Sequence, residues 1–241
     1  MPLGFVLYGS TVLIPIFLQS LLGYSAYDAG VAMLPRGLGS FLAMPVVGAL
    51  MGKFDPRKLL TLGFLVAAFA MWRLSLINLN AGYWDVFWPQ FIQGTSLGFL
   101  FVPLTTVTHD RIPKSQMGNA TSLFNVMRNI GGSVGIAMVT TIVTRVTQSN
   151  TAQMVRNVTQ FNPAATSMFA AARAGFIARG SDPVTATQQA QAAVFGTVQQ
   201  QAAMLANIHA FRFLGIMFLV VTPLILLMKK PSGKGEAPMG H

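Results

Sequence analysis

Residues 29–58 read AGVAMLPRGLGSFLAMPVVGALMGKFDPRK, a long apolar stretch followed by a short basic turn. Up to Met51 the stretch carries one charged side chain, Arg36, whereas the seven residues after it carry Lys53, Asp55, Arg57 and Lys58. A helix of about 20 apolar residues covers the ~30 Å hydrocarbon core of a bilayer. An apolar block closed by a turn of this charge therefore reads as a membrane span that ends at a cytoplasmic loop.

Outward from this stretch the pattern repeats. Segments 3–22, 58–77, 85–108, 117–143 and 206–228 are also long and apolar enough to be spans, which with 29–51 gives six expected helices. Turn chemistry separates them: Gly23-Tyr24-Ser25, Asp55-Pro56, the run from Asn78 to Gly82, and Ile112-Pro113. Composition agrees, because 53% of the 241 residues are hydrophobic and only 9% are charged, against about 25% in a soluble domain. Too little charge is present to cover a water-soluble surface, and the mean hydropathy is +0.56. The expected fold class is all-α: a polytopic membrane bundle of six transmembrane helices. Met1-Pro2-Leu3 runs into the first apolar segment with no basic region and no small-residue cleavage site, so that segment is expected to remain as a span.

The basic residues set the orientation. Lys53, Arg57 and Lys58, then Arg111 and Lys114, then Lys229, Lys230 and Lys234 fall on one side of a six-helix weave, while the turns 23–28 and 78–84 hold no Lys or Arg. The first side is the cytoplasmic one, and both ends of the chain lie there. The remaining stretch, 144–205, is rich in Gln, Ala and Thr and is expected outside as a helical hairpin, since Asn162-Pro163 and Ser181-Asp182-Pro183 are helix starts and Gly180 a helix stop. A partly disordered polar loop is the alternative. Residues 206–228 then re-enter as the last span, into which the Gln/Ala-rich second helix of the hairpin is free to continue, and 229–241 form a cytoplasmic basic tail.

Several function classes drop out on the same inventory. The formal charge of +10 comes from scattered Lys and Arg, not from a basic patch interleaved with aromatics, so no nucleic-acid partner is expected. The absence of cysteine excludes disulfides and thiolate metal sites, and three separated histidines make no ligand set. Neither a nucleophile–base pair nor a phosphate-binding glycine loop can be assembled, so neither an enzyme nor a cofactor is expected.

Charge placement inside the spans carries the functional expectation. All six acidic residues, Asp28, Asp55, Asp85, Asp110, Asp182 and Glu236, fall in turns, at helix ends or in the tail. A proton carrier needs a titratable group within the low-dielectric interior, and no carboxylate here occupies the midplane. Arg36, Arg73 and Arg212 read as anchors near the outer interface, where a long side chain can snorkel, or as packing partners. Arg128 lies eleven residues into 117–143, about 16 Å from its start, and continues a polar stripe with Thr121, Asn125, Asn129 and Gly132. Tyr8, Thr11 and Gln19, and Gln90 with Gln93, form similar stripes. Tyr8, Gln19, Gln90, Gln93, Asn125 and Arg128 are the candidates to face a substrate cavity; an interhelical hydrogen-bond cluster is the competing explanation. Gly131, Gly132 and Gly135 are the candidates for close helix packing.

Leu7-Tyr8-Gly9-Ser10, Leu22-Gly23-Tyr24-Ser25-Ala26, Leu34-Pro35-Arg36-Gly37-Leu38-Gly39, Asp55-Pro56-Arg57, Phe101-Val102-Pro103-Leu104 and Leu123-Phe124-Asn125 on to Gly131-Gly132-Ser133 together resemble the later spans of the 14-helix drug/proton antiporters of the major facilitator superfamily. The resemblance extends to about residue 145 and returns in 206–228. It implies one major-facilitator half, with a long external loop before its last span. It further implies the carboxyl-terminal portion of a multidrug efflux transporter in the inner membrane that exports amphipathic small molecules by proton antiport. The turn with Gly48, Lys53, Asp55, Arg57 and Lys58 is similar to a second copy of the superfamily's cytoplasmic gating motif, although Gly52 stands where that motif has an acidic residue. Besides the lipid bilayer, the implied partners are an amino-terminal half, on the same or a separate chain, that supplies the coupling carboxylates, and a periplasmic adaptor protein. The rival readings are a non-transporting membrane fragment or scaffold, and a half-transporter that requires a partner half.

Overall fold

The first turn to be fixed is the one before residue 29. Gly23 adopts φ 69°, a left-handed conformation that only glycine takes without strain. Ser25 then caps the next helix, its hydroxyl accepting the Asp28 N–H at 3.1 Å. The same logic places the other starts. Asp55 accepts the Arg57 N–H at 3.0 Å with Pro56 in the first turn, where a missing N–H costs nothing. Asn162 accepts the Ala164 N–H at 3.1 Å, and Asp182 accepts those of Val184 and Thr185 at 3.0 and 3.1 Å. Thus two of the six carboxylates, Asp55 and Asp182, are spent on caps, and two more serve at helix starts: Asp85 accepts the Gly82 N–H at 2.9 Å and Asp28 accepts the Ser25 hydroxyl at 2.7 Å.

The computed structural model describes residues 2–109, 117–159 and 161–226. Among them every regular element is a helix: α1 (Pro2–Ser20), α2 (Ala26–Met51), α3 (Pro56–Leu74), α4 (Tyr83–His109), α5 (Met117–Val155), α6 (Pro163–Ala178) and α7 (Pro183–Leu226). The expected basic residues Arg111 and Lys114, and the tail 229–241, lie outside the described residues. By length and composition three helices can cross a membrane: α2, residues 121–155 of α5 and residues 183–225 of α7. Helix α3 does not meet that measure because Arg57, Lys58 and Arg73 all fall within its 19 residues.

The boundaries drawn at 143 and 206 fall inside helices. Residues 144–155 continue α5, and 183–205 run unbroken into the last apolar stretch. The physical reason is the absence of a stop: 144–155 contain neither Gly nor Pro, and α7 has no proline between its first residue and Pro223. At 39 and 44 residues, α5 and α7 measure about 58 and 66 Å at 1.5 Å per residue, roughly twice a bilayer core. Helix α6 packs on α7 and buries none of its residues.

In lipid, apolar surface alone does not drive helices together, so small residues and close backbone contact take over. Helices α2 and α4 run parallel, with Gly39 against the Phe91 carbonyl, Gly94 against the Arg36 backbone and Gly98 against Ala43. Helices α1 and α5 also run parallel: Gly4 meets the Arg128 carbonyl, Gly135 the Phe5 backbone and Gly9 the Val139 side chain. Helices α3 and α7 together join the two pairs: α3 is antiparallel to α4 through Gly63 on Phe99 and packs on α7, which in turn packs on α5 and α1. In the second half of α7, Phe211 and Phe218 make edge contacts with Phe17 and Phe64, with ring centroids 5.6 and 5.8 Å apart.

Candidate functional site

A polar cluster crosses the α1, α2 and α4 interface. Successive residues Ser10 and Thr11 on α1 each donate their hydroxyl to the Leu7 carbonyl, at 2.9 and 2.8 Å. With their protons spent on the backbone, both oxygens are oriented to accept. The Arg36 Nη2 on α2 donates to Thr11 Oγ1 at 2.8 Å, and the Gln93 Nε2 on α4 donates to Ser10 Oγ at 3.0 Å. Arg36 and Gln93 stand level because the α4 backbone at Gly94 lies against the α2 backbone at Arg36, a contact that any β-carbon would block.

This cluster is desolvated and incompletely satisfied. Gln90 is 0% exposed, Gln93 1% and Arg36 9%. The Gln90 Nε2 and Oε1, the Gln93 Oε1 and the Arg36 Nη1 are buried without a hydrogen-bond partner. Each such atom costs about 1–3 kcal/mol if left unmade, and protein interiors satisfy nearly all of them with protein, water or a polar ligand. Gln90 and Gln93 lie one turn apart on one face of α4, so all four atoms belong to one locality that offers donors (Arg36, Gln90) and acceptors (Gln90, Gln93) and no carboxylate.

Of the two expectations for Arg36, anchor or packing partner, the structure shows the second: it is buried and bonded to Thr11. Ten residues into α2 it lies about 15 Å from the helix start, nearly the depth counted for Arg128, and α4 covers it because Gly39 and Gly94 let the two backbones meet. The depth count and the glycines beside it were the signals that could have found it. Arg73 and Arg212 are exposed.

Of the six cavity candidates, the structure brings together Gln90 and Gln93 and adds Ser10, Thr11 and Arg36 to them. Tyr8 packs its ring on Gly132 of α5, where a β-carbon would stand 2.6 Å from Cδ2. Gln19 and Asn125 are exposed, and Arg128 is half-buried on α5 with its Nε unpartnered. Helix α5 packs on α1 and α7, so Asn125 and Arg128 stand apart from the cluster. Gly131, Gly132 and Gly135 are all buried, and the last two form the α1–α5 seam.

At the α2–α3 turn, Gly48, Lys53 and Lys58 are exposed and Arg57 is half-buried with Nε and Nη2 unpartnered. Asp55 spends its carboxylate on the α3 cap, and among the described residues it forms no ion pair with these cations.

The sequence matches the family model for the Major Facilitator Superfamily over residues 1–136. It is 32% identical over 235 residues to the multidrug export protein EmrB of Escherichia coli K12, covering 97% of this chain and 44% of that relative. It is 31% identical over 242 residues to the fatty acid resistance protein FarB of Neisseria gonorrhoeae, covering 99% and 45%. It is 30% identical over 235 residues to the probable multidrug resistance protein EmrY of Escherichia coli K12, covering 94% and 43%. The chain thus spans less than half the length of these curated relatives.

Proposed function

Since this chain belongs to the Major Facilitator Superfamily, a family of multi-pass membrane transporters, we propose that it forms the carboxyl-terminal portion of a multidrug efflux transporter that exports amphipathic compounds by proton antiport. Helices α1 to α5 and the lower part of α7 are its six spans, and α1, α2, α4 and α5 form one wall of a central cavity that opens alternately to each side. The observation that carries this reading is the buried group of Arg36, Gln90 and Gln93. Within a membrane, desolvated polar side chains with unused hydrogen-bonding atoms mark the path of a polar solute, an ion or water.

Three further observations support it. The parallel pairs α1/α5 and α2/α4, with three helices and one helix between their members in sequence, suit a weave that crosses the bilayer at every helix apart from α6. The described carboxylates all sit at helix starts, which leaves proton coupling to a complementary amino-terminal half on the same or a separate chain. The named relatives export drugs or confer fatty-acid resistance, in keeping with amphipathic cargo. On this reading the chain resides in the inner membrane with its carboxyl terminus in the cytoplasm. The α5–α6–α7 projection then stands outside, where a periplasmic adaptor would meet it.

Replacement of Gln90 by leucine in the complete transporter tests the reading. An apolar residue of similar volume removes two unpartnered buried atoms and leaves the fold intact or firmer. Export of a fluorescent amphipathic dye from loaded cells is expected to fall at least tenfold at unchanged membrane abundance. Undiminished export by Gln90→Leu would reduce the cluster to a structural one and remove the main support for the cavity wall.

A further inference from the structure

Away from the polar cluster, the outward faces of α3 and α7 enclose an apolar groove of about 520 Å³. Leu65, Phe69 and Trp72 line it from α3, and Gly215 and Leu219 from α7. Its floor is backbone: a β-carbon on Gly215 would stand 3.5 Å from the Ala68 carbonyl oxygen. Arg212, one turn before Gly215, is the one charged residue in the lining. From Arg212 to Leu219 the groove extends about 10 Å along α7, with the cation at one end and hydrocarbon along the rest.

The charge at the mouth has no counterpart. Arg212 is exposed and has no hydrogen-bond or ion-pair partner among the described residues. Arg73, near by on α3, lines a separate pocket of about 130 Å³ that also contains Asp85, whereas no carboxylate lines the groove at Arg212. Trp72 is 54% exposed at the same end of the groove, and an indole takes the headgroup level of a bilayer. We propose that this groove is a binding site for an anionic phospholipid, with one acyl chain lying between α3 and α7 and the phosphate on the Arg212 guanidinium. The proposal rests on the membrane-spanning reading above. A second helix seated in the groove would bury Arg212 without an anion, which is costly in lipid, and a zwitterionic headgroup would bring a cation beside it.

The chain contains three tryptophans, Trp72, Trp84 and Trp88, which makes the site optically addressable. In a Trp84→Phe/Trp88→Phe background, the 241-residue chain reconstituted into phosphatidylcholine vesicles reports on the groove through Trp72 alone. Brominated phosphatidylglycerol and brominated phosphatidylcholine are titrated separately as quenchers. One uncompensated arginine at a membrane surface is expected to give about a fivefold preference for the anionic lipid. Arg212→Lys is expected to keep that preference and Arg212→Gln to abolish it. Equal quenching by both lipids, or a preference that survives Arg212→Gln, overturns the lipid site while leaving the membrane reading in place. If neither lipid quenches Trp72, the groove is not in contact with lipid, and the membrane-spanning reading of α3 fails with it.

Discussion

Replacing Gly94 by alanine is a stringent test of the α2–α4 contact on which the polar cluster depends. A β-carbon at residue 94 would overlap the Arg36 carbonyl oxygen and stand 2.8 Å from its carbonyl carbon and 2.9 Å from its α-carbon. Ordinary carbon contacts are about 3.5–4.0 Å, so the two helices must separate by about 1 Å at this level. Both sides of the contact are helix backbone, and no side chain can rotate away. Overpacking of this kind costs about 1–3 kcal/mol, and the better helix propensity of alanine returns about 1 kcal/mol. Moving α2 also draws Arg36 away from Thr11, a 2.8 Å bond to a charged donor of a type that contributes about 1.5–3 kcal/mol. The expected net loss is about 2–4 kcal/mol. Gly30→Ala is the matched control: it lies in the same helix as Arg36, and a β-carbon there meets nothing within 4 Å, so a gain of up to about 1 kcal/mol is expected. Equilibrium unfolding in mixed detergent–SDS micelles, followed by tryptophan fluorescence, measures both. Equal stability of Gly94→Ala and wild type would refute the close α2–α4 approach, and with it the placement of Arg36.

Other expectations follow from the caps, the seam and the cavity wall. Asp55→Ala should cost about 1 kcal/mol in the same unfolding assay and Asp55→Asn only a few tenths, because asparagine also caps; equal losses would mean that charge, not capping, is the role of Asp55. Hydrogen bonds from Thr185 hold the Asp182 carboxyl below its ordinary value of 3.8. A depressed native value adds stability that is present above 3.8 and lost as pH falls through the native value. Exchange protection of the Val184 and Thr185 amides should therefore weaken below pH 3.8, and in Asp182→Asn it should show no such pH dependence. Arg128→Ala in the complete transporter should abolish drug resistance at normal membrane abundance; resistance at wild-type level would remove Arg128 from the working cavity.

Much of the architecture was legible because helix starts and stops are local. Ser25, Asp55-Pro56, Asn162-Pro163 and Gly180 each declare a boundary within a few residues, and the helices begin and end there. The boundaries at 143 and 206 were drawn from polarity, so they mark where side chains change character and not where a helix ends. A helix continues as long as nothing terminates it, whether its side chains face lipid or water, and the Thr- and Gln-rich stretches contain no terminator. The site was legible to the extent that it lies on one helix: the spacing of Gln90 and Gln93 placed them on a common face. What it joins across helices was not. The pairing of Arg36 with Thr11 depends on Gly39 and Gly94 bringing two helices into contact, and a stripe count along one helix has no access to that. For the same reason the contact of Tyr8 with Gly132 was not legible, since a single helix shows which residues share a face but not which neighbour that face meets.

The uninterrupted course of α7 has a mechanical consequence. Its first 23 residues, up to residue 205, are joined without a hinge to the segment that packs against α1 and α3. They form a stiff arm about 34 Å long. A rigid-body tilt of about 10° within the bilayer, of the sort that accompanies domain rocking, would swing the tip of that arm by about 6 Å and carry α6 with it. The projection acts as a pointer: small angular changes among buried helices become displacements large enough for a distance probe on α6 to follow in real time.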